Sequence, residues 1–361
     1  MPTSTEGFRM VERARLTRVR FELPTPGPGE AVVRVAGCGV CHTDIAFLYD
    51  GVPTKHALPL VLGHEISGTV IETGVDAKGW LGKRVVVPAV APCGTCAACK
   101  RGRVTSCRAG KMPGNDHDGG FADHVLVPAA TLCDVDALTG APGPGDALAK
   151  AGLTLADLSV VADAVTTPLE AIHRACLGPG EVAIFVGAGG VGGFGVQLAR
   201  AYGAFVVAID TDQRKLDRAL AHGAHAAFDA KLPFKELKGA IRDAVKKGGA
   251  PGEGWRVFET SGSPKGQEAA FGLVNQGGSL SIVGFTPEPV TVRLSNLMAM
   301  DASAHGNWGS NPSVYPEAVR LCLEGKVQVA PFVKRFPLAQ CAEILAQVHE
   351  GGLLERAVLE G

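Results

Sequence analysis

At Val182 an apolar run, VAIFV, gives way to GAGGVGG and then directly to the helical pattern VGGFGVQLARAYG. A strand that turns through glycines into a helix opens a βαβ unit, and such a turn lets the backbone approach a ligand at the helix N-terminus. The alternation continues as AFVVAID, QRKLDRALAHG, HAAFD, FKELKGAIRDAVKK, WRVFETSG, KGQEAAFGLVNQ and SLSIVGF. Apolar strands alternating with helices of that length imply a parallel sheet covered on both faces. Residues 161–310 are therefore expected to form a doubly wound α/β domain. The uncharged stretch Val182–Ala199 approaches the length of a membrane span, but its glycines at 187, 189, 190, 192, 193 and 195 mark a turn instead.

Upstream the character differs. AVVRVAG, ISGTVIETG, KRVVVPAV and ADHVLVP are short β-branched runs separated by Gly and Pro, the pattern of an irregular β-rich domain. The Gly/Pro-rich stretch Asp136–Asp146 is expected to be a surface loop. Beyond Asn311, YPEAVRLCLEG and AQCAEILAQVHEG have helical periods but are too short for a domain, so residues 311–361 are expected to complete residues 1–160. Lys plus Arg number 35 against 36 Asp plus Glu, with no run of like charge, which leaves no electrostatic footprint for nucleic acid. No membrane partner is expected. Ten cysteines without a secretory leader point to metal ligation in a cytoplasmic protein, not to disulfides.

Three groups of residues carry chemistry. Cys93, Cys96, Cys99 and Cys107 stand in CGTCAACKRGRVTSC, a spacing that suits a tetrahedral structural zinc. An iron–sulfur cluster competes, although the late fourth Cys and Arg108 after it depart from a ferredoxin run. In the glycine turn, Gly187, Gly189 and Gly192 have the spacing of a dinucleotide-binding fingerprint. The next strand ends at Asp210, whose carboxylate would accept from the ribose hydroxyls and repel a 2′-phosphate, which favours NAD over NADP. The third group is dispersed: Cys41 in GCGVCHTD, His64 and Glu65 in LGHE, and Asp163 in DAVTTP. Thiolate, imidazole and carboxylate together supply three ligands for a catalytic zinc with one position open.

In that order these motifs resemble the zinc-dependent medium-chain alcohol dehydrogenases, over nearly the whole chain from Glu30. The resemblance implies a GroES-like catalytic domain interrupted by a Rossmann domain with a six-stranded parallel sheet, NAD, and two zinc ions per chain. It places the catalytic zinc on Cys41, His64 and Asp163, with Glu65 as an alternating fourth ligand, and the structural zinc on the four-Cys lobe, residues 93–107. It puts Thr43 on the alcohol oxygen, His42 at the cofactor pyrophosphate, and the backbone of Val283, Gly284 and Phe285 on the nicotinamide amide. Gly190, Val191 and Lys215 join the remaining cofactor residues. Where many members carry a proton-relay His, this chain has Ala46.

Ala46 together with GKMPGNDHDGGFADHV most resembles the branch that oxidises 6-hydroxycyclohex-1-ene-1-carbonyl-CoA in anaerobic aromatic degradation. That implies an acyl-CoA thioester as small-molecule partner, and the family implies a homo-oligomer, dimer or tetramer. The rivals are another secondary-alcohol or polyol dehydrogenase of this fold, and a non-catalytic binding protein on the same scaffold.

Overall fold

The computed structural model describes residues 2–140, 143 and 146–361. The chain separates into two compact units, one made of residues 1–166, 309–325 and 329–361, the other of residues 167–308 and 326–328.

The first unit is built on an open sheet whose strand order is Val333–Pro337, Arg356–Glu360, Glu30–Gly39, Glu65–Thr73, Arg84–Val87 and Cys133–Asp134, with His124–Pro128 also pairing on Glu30–Gly39. Ala31, Val32 and Val33 are consecutive and all fully buried, so this part of the central strand is covered on both faces. The register of three strands decides which side chains meet at one end of the sheet. Gly39 lies opposite Glu65 on one side and opposite Val358 on the other. That end therefore gathers Cys41, just past Gly39, His64, just before the Glu65 strand, and Arg356 at the start of the last strand.

A hairpin that the motif reading did not single out precedes this sheet: Ser4–Glu12 pairs antiparallel with Arg15–Glu22. The stretch expected as a loop between Asp136 and Asp146 is in part helical, because Asp136–Thr139 forms a turn of helix. The Asp134 carboxylate accepts the Ala137 N–H at 3.0 Å, and Asp136 is tied to Arg84, which together favour a helical start over an open loop. Residues 141, 142, 144 and 145 of that stretch lie outside the described residues.

The second unit is a six-stranded sheet, parallel throughout, ordered Ala226–Asp229, Phe205–Asp210, Val182–Val186, Arg256–Glu259, Ser279–Ile282 and Ser303–Gly306. Counted along the chain that is 3-2-1-4-5-6, so the order reverses between the first and fourth strands, and a crevice opens there at their carboxyl ends. Helices Gly190–Ala201, Gln213–Ala221, Phe234–Lys247 and Pro264–Leu273 connect the strands where the sequence pattern placed them. Asp212 and Ser263 cap two of them through their side chains. Among the described residues no helix is long and apolar enough to cross a membrane.

Candidate active site

In the first unit the ligand atoms of Cys41, His64, Glu65 and Asp163 all lie within 4.8 Å of one another. Asp163 Oδ2 is 3.6 Å from Cys41 Sγ and 3.8 Å from His64 Nε2. Ligands at about 2.0 to 2.3 Å from one tetrahedral zinc stand roughly 3.3 to 3.8 Å apart, so both separations from Asp163 already have that spacing. His64 is turned toward the group by Asp44, whose Oδ1 lies 3.3 Å from Nδ1. Asp44 also accepts the N–H groups of Cys41 and Gly63, both at 3.0 Å, and so braces two ligand-bearing segments at once.

The electrostatics call for a cation. Burial opposes charge on His64, but Asp44, Asp163 and Cys41 outweigh it and raise the imidazole well above its usual range. Burial pushes Glu65 up and the Arg356 guanidinium pulls it back, which leaves that carboxyl at about 7. Arg356 grips Glu65 with two hydrogen bonds, Nε to Oε2 at 2.7 Å and a second from the other arm of the fork to Oε1. Gly39 has to be glycine here, since a Cβ would collide with the Glu65 carboxylate at 2.0 Å.

Asp163 is held from behind. Tyr315, fully buried, donates its hydroxyl to the Ala162 carbonyl at 2.5 Å and accepts the Ala89 N–H at 3.0 Å. Thr43 is the second residue of the helix His42–Leu48, beside the metal group with its Oγ1 3.7 Å from Cys41 Sγ, while His42, the first, is exposed. Ala46 lies on the same helix.

The sequence motifs drew attention to the four ligand candidates and to Thr43, but not to Asp44, Arg356 or Tyr315. Asp44 had a local signal, three residues after Cys41 in the capping position of a short helix. Arg356 and Tyr315 had none, because their partners lie hundreds of residues away in the chain.

The four-Cys lobe is a second centre. Sulfur separations are 3.5 Å for Cys96–Cys99, 3.7 Å for Cys96–Cys107 and 4.0 Å for Cys93–Cys99. Zinc–sulfur bonds of about 2.3 Å in a tetrahedron set the edge near 3.8 Å. An iron–sulfur cluster, which inserts its own irons and sulfides between the thiolates, would hold them farther apart. The Thr95 N–H and hydroxyl lower the Cys93 thiol to about 6, whereas desolvation and the neighbouring sulfurs push Cys99 up to about 12. Four thiolates share this space only around a cation.

In the second unit the three fingerprint glycines have three separate roles. Gly187 has φ of +99°, and a Cβ there would meet the Ser261 N at 2.6 Å. A Cβ on Gly192 would meet the Gly187 carbonyl at 1.9 Å, so only glycine lets the helix pack onto the turn. Gly189, the N-cap, faces open space with only Lys215 Nζ at 3.9 Å, as a surface that receives a pyrophosphate requires. Gly190 and Val191 form the first turn of the helix behind it. Asp210 is fixed by the N–H groups of Ala188 at 2.8 Å and Asp212 at 3.0 Å, with Lys215 Nζ 4.0 Å away. The N–H groups of Val283 and Gly284 both donate to the Glu259 carbonyl, and Phe285 is exposed.

A doubly wound nucleotide-binding unit with this fingerprint, together with a β-rich unit that carries a catalytic and a structural zinc arrangement, defines a zinc-dependent dehydrogenase. Residues 27–137 match the alcohol dehydrogenase GroES-like domain family, and residues 190–324 match the zinc-binding dehydrogenase family. An alcohol dehydrogenase of Geobacillus stearothermophilus is 30% identical over 341 residues, covering 94% of each chain. A zinc-binding dehydrogenase of Sinorhizobium meliloti, solved with NADP, is 25% identical with a TM-score of 0.85 over 99% of this chain and 100% of that one. The acetophenone reductase of Geotrichum candidum, solved with NAD, is 26% identical with a TM-score of 0.83 over 100% of this chain and 98% of that one. The chain belongs to the zinc-dependent medium-chain alcohol dehydrogenases, and it is an oxidoreductase that uses zinc and a nicotinamide cofactor.

Proposed function

We propose that the chain oxidises a secondary ring alcohol to the ketone with NAD, and that its substrate is a cyclic hydroxyacyl-CoA thioester of the 6-hydroxycyclohex-1-ene-1-carbonyl type. The observation that carries the alcohol chemistry is the convergence of Cys41, His64, Glu65 and Asp163 within 4.8 Å. Cys41, His64 and Asp163 would hold the catalytic zinc, with Glu65 as the alternate ligand, and Cys93, Cys96, Cys99 and Cys107 the structural one. When bound, the metal supplies a Lewis acid that lowers the alcohol pKa, and NAD supplies the hydride acceptor.

The chain's own groups handle the proton and the geometry. The Thr43 hydroxyl would accept the alcohol's proton as it hands its own on to solvent water, and with Ala46 on the same helix this relay has no histidine at that point. Asp44 fixes the tautomer and orientation of His64, and Arg356 holds Glu65 turned to one side through two hydrogen bonds. Asp210 selects NAD, His42 and the glycine turn with Gly190, Val191 and Lys215 serve the cofactor phosphates and ribose, and the Val283–Phe285 backbone receives the nicotinamide carboxamide.

The thioester reading is supported by Ala46 together with the segment 110–125. That segment is seated against the ligand-bearing turn: the N–H groups of Gly119, Phe121 and Gly120 donate to Val61, Leu62 and Gly63 respectively. NAD reduction measured with the cyclic hydroxyacyl-CoA ester, its free acid and small secondary alcohols tests the reading. Efficient turnover of the ester alone is expected. Turnover of small alcohols with none of the ester would assign a general secondary-alcohol or polyol dehydrogenase instead.

A further inference from the structure

Glu259 ends the fourth strand of the parallel sheet and is fully buried. Among the described residues it makes no ion pair. Oε1 accepts the Ser261 N–H at 2.8 Å, the Ser261 hydroxyl at 2.5 Å and the Gly262 N–H at 3.1 Å, while Oε2 has no hydrogen-bond partner. A carboxylate in that setting is costly unless its donors give something back, and a buried polar atom left over calls for an explanation.

The main chain of the same residue accounts for a second loop. Its carbonyl accepts the N–H groups of Val283 at 2.9 Å and Gly284 at 3.0 Å. One residue thus holds the loop after its own strand, Ser261–Gly262, and the loop after the next strand, Val283–Gly284. The two loops press on each other. A Cβ on Gly284 would stand 2.3 Å from the Gly262 N and 2.7 Å from Glu259 Oε2, and a Cβ on Gly262, whose φ is +64°, would stand 2.8 Å from the Phe285 carbonyl. Thr260, between them, donates its hydroxyl to the Gly187 carbonyl at 2.7 Å. The cluster therefore sits at the carboxyl ends of the first, fourth and fifth strands, where the strand order reverses.

We infer that Glu259 is a positioning residue that sets the separation of these two loops and so the presentation of the Val283–Phe285 backbone to the nicotinamide. This rests on the reading that Val283–Phe285 receive the carboxamide. Glu259 is itself buried and its carboxylate and carbonyl bind the Ser261–Gly262 and Val283–Gly284 loops directly, whereas the Gly187 turn is met only through Thr260 and the Ser261 backbone, so the larger effect falls at the nicotinamide end. The adenylate end rests on Asp210, which is fixed by the N–H groups of Ala188 and Asp212 and not by Glu259.

Equilibrium binding of NAD and of ADP-ribose, which lacks only the nicotinamide, separates the two ends. Glu259→Ala is expected to weaken NAD at least about tenfold, the equivalent of one lost charge-assisted hydrogen bond, and to leave ADP-ribose within about twofold. Glu259→Gln keeps an acceptor for the Ser261 and Gly262 amides and is expected to hold NAD within about threefold. Gly262→Ala forces the loops apart without removing the carboxylate, and the same selective loss of NAD is expected, which covers the case of a Glu259→Ala chain that does not fold. Equal loss of both ligands in either variant, or unchanged NAD affinity in Gly262→Ala, would overturn the inference. Wild-type protein that binds NAD no more tightly than ADP-ribose would overturn the nicotinamide reading itself, and it shows this before any variant is measured.

Discussion

Replacing Tyr315 with Phe removes one hydroxyl and almost no volume, and its main consequences come from two hydrogen bonds to the backbone. The Ala89 N–H, 3.0 Å from the hydroxyl, loses its acceptor in a fully buried setting. The Ala162 carbonyl loses the Tyr315 donor but keeps the Thr166 hydroxyl at 3.2 Å. The orphaned N–H dominates, at about 1 to 3 kcal/mol, because a buried donor without a partner costs its full desolvation. For a folding unit of this size that lowers Tm by roughly 2 to 4 °C per kcal/mol, so a drop of about 4 to 8 °C is expected for the middle of the range. Ala162 precedes Asp163, so the loosened turn is also expected to release metal from the catalytic centre faster under chelator, with the four-Cys centre unaffected. Differential scanning calorimetry and chelator-release kinetics read the two effects separately. A Tyr315→Phe protein that melts within about a degree of wild type, and releases metal at the same rate, would refute the reasoning.

Three other substitutions probe the remaining parts of the geometry. Cys99→Ser is expected to lower thermal stability and metal content together, because a structural zinc contributes folding free energy; unchanged melting would remove the lobe from the fold's support. Asp210→Ser takes away the acceptor fixed by Ala188 and Asp212 and the charge that repels a 2′-phosphate, so the NAD to NADP ratio of kcat/KM is expected to fall, and a wild type that already uses both equally would contradict it. Thr43→Val is expected to cut turnover at least about 100-fold while Thr43→Ser keeps most of it, and near-normal turnover in the Val variant would route the proton elsewhere.

The parallel sheet was legible because its inner strands are buried on both faces. Val182–Val186 is buried at every position and so reads as an unbroken apolar run. The last strand, Ser303–Gly306, is an edge strand of partly exposed residues, SAHG, and carries no such signal. The hairpin Ser4–Glu22 escaped for a related reason: its alternation is filled with Glu6, Arg9, Arg18 and Arg20, charges that pair across strands or with Asp118. At the site, ligands that sit in short motifs were readable one by one, since the chemistry of a metal restricts residue type. Their supports were not. Arg356 meets Glu65 only because Gly39 aligns with Glu65 on one side and Val358 on the other, a register that no local pattern encodes.

Metal analysis of the purified chain, set beside His64→Ala, tests the central claim most directly. Two zinc ions per wild-type chain are expected, with the His64→Ala protein folded, holding one zinc and without turnover. One zinc in wild type, or iron–sulfur absorption in place of the second, would contradict the assignment of two separate zinc centres.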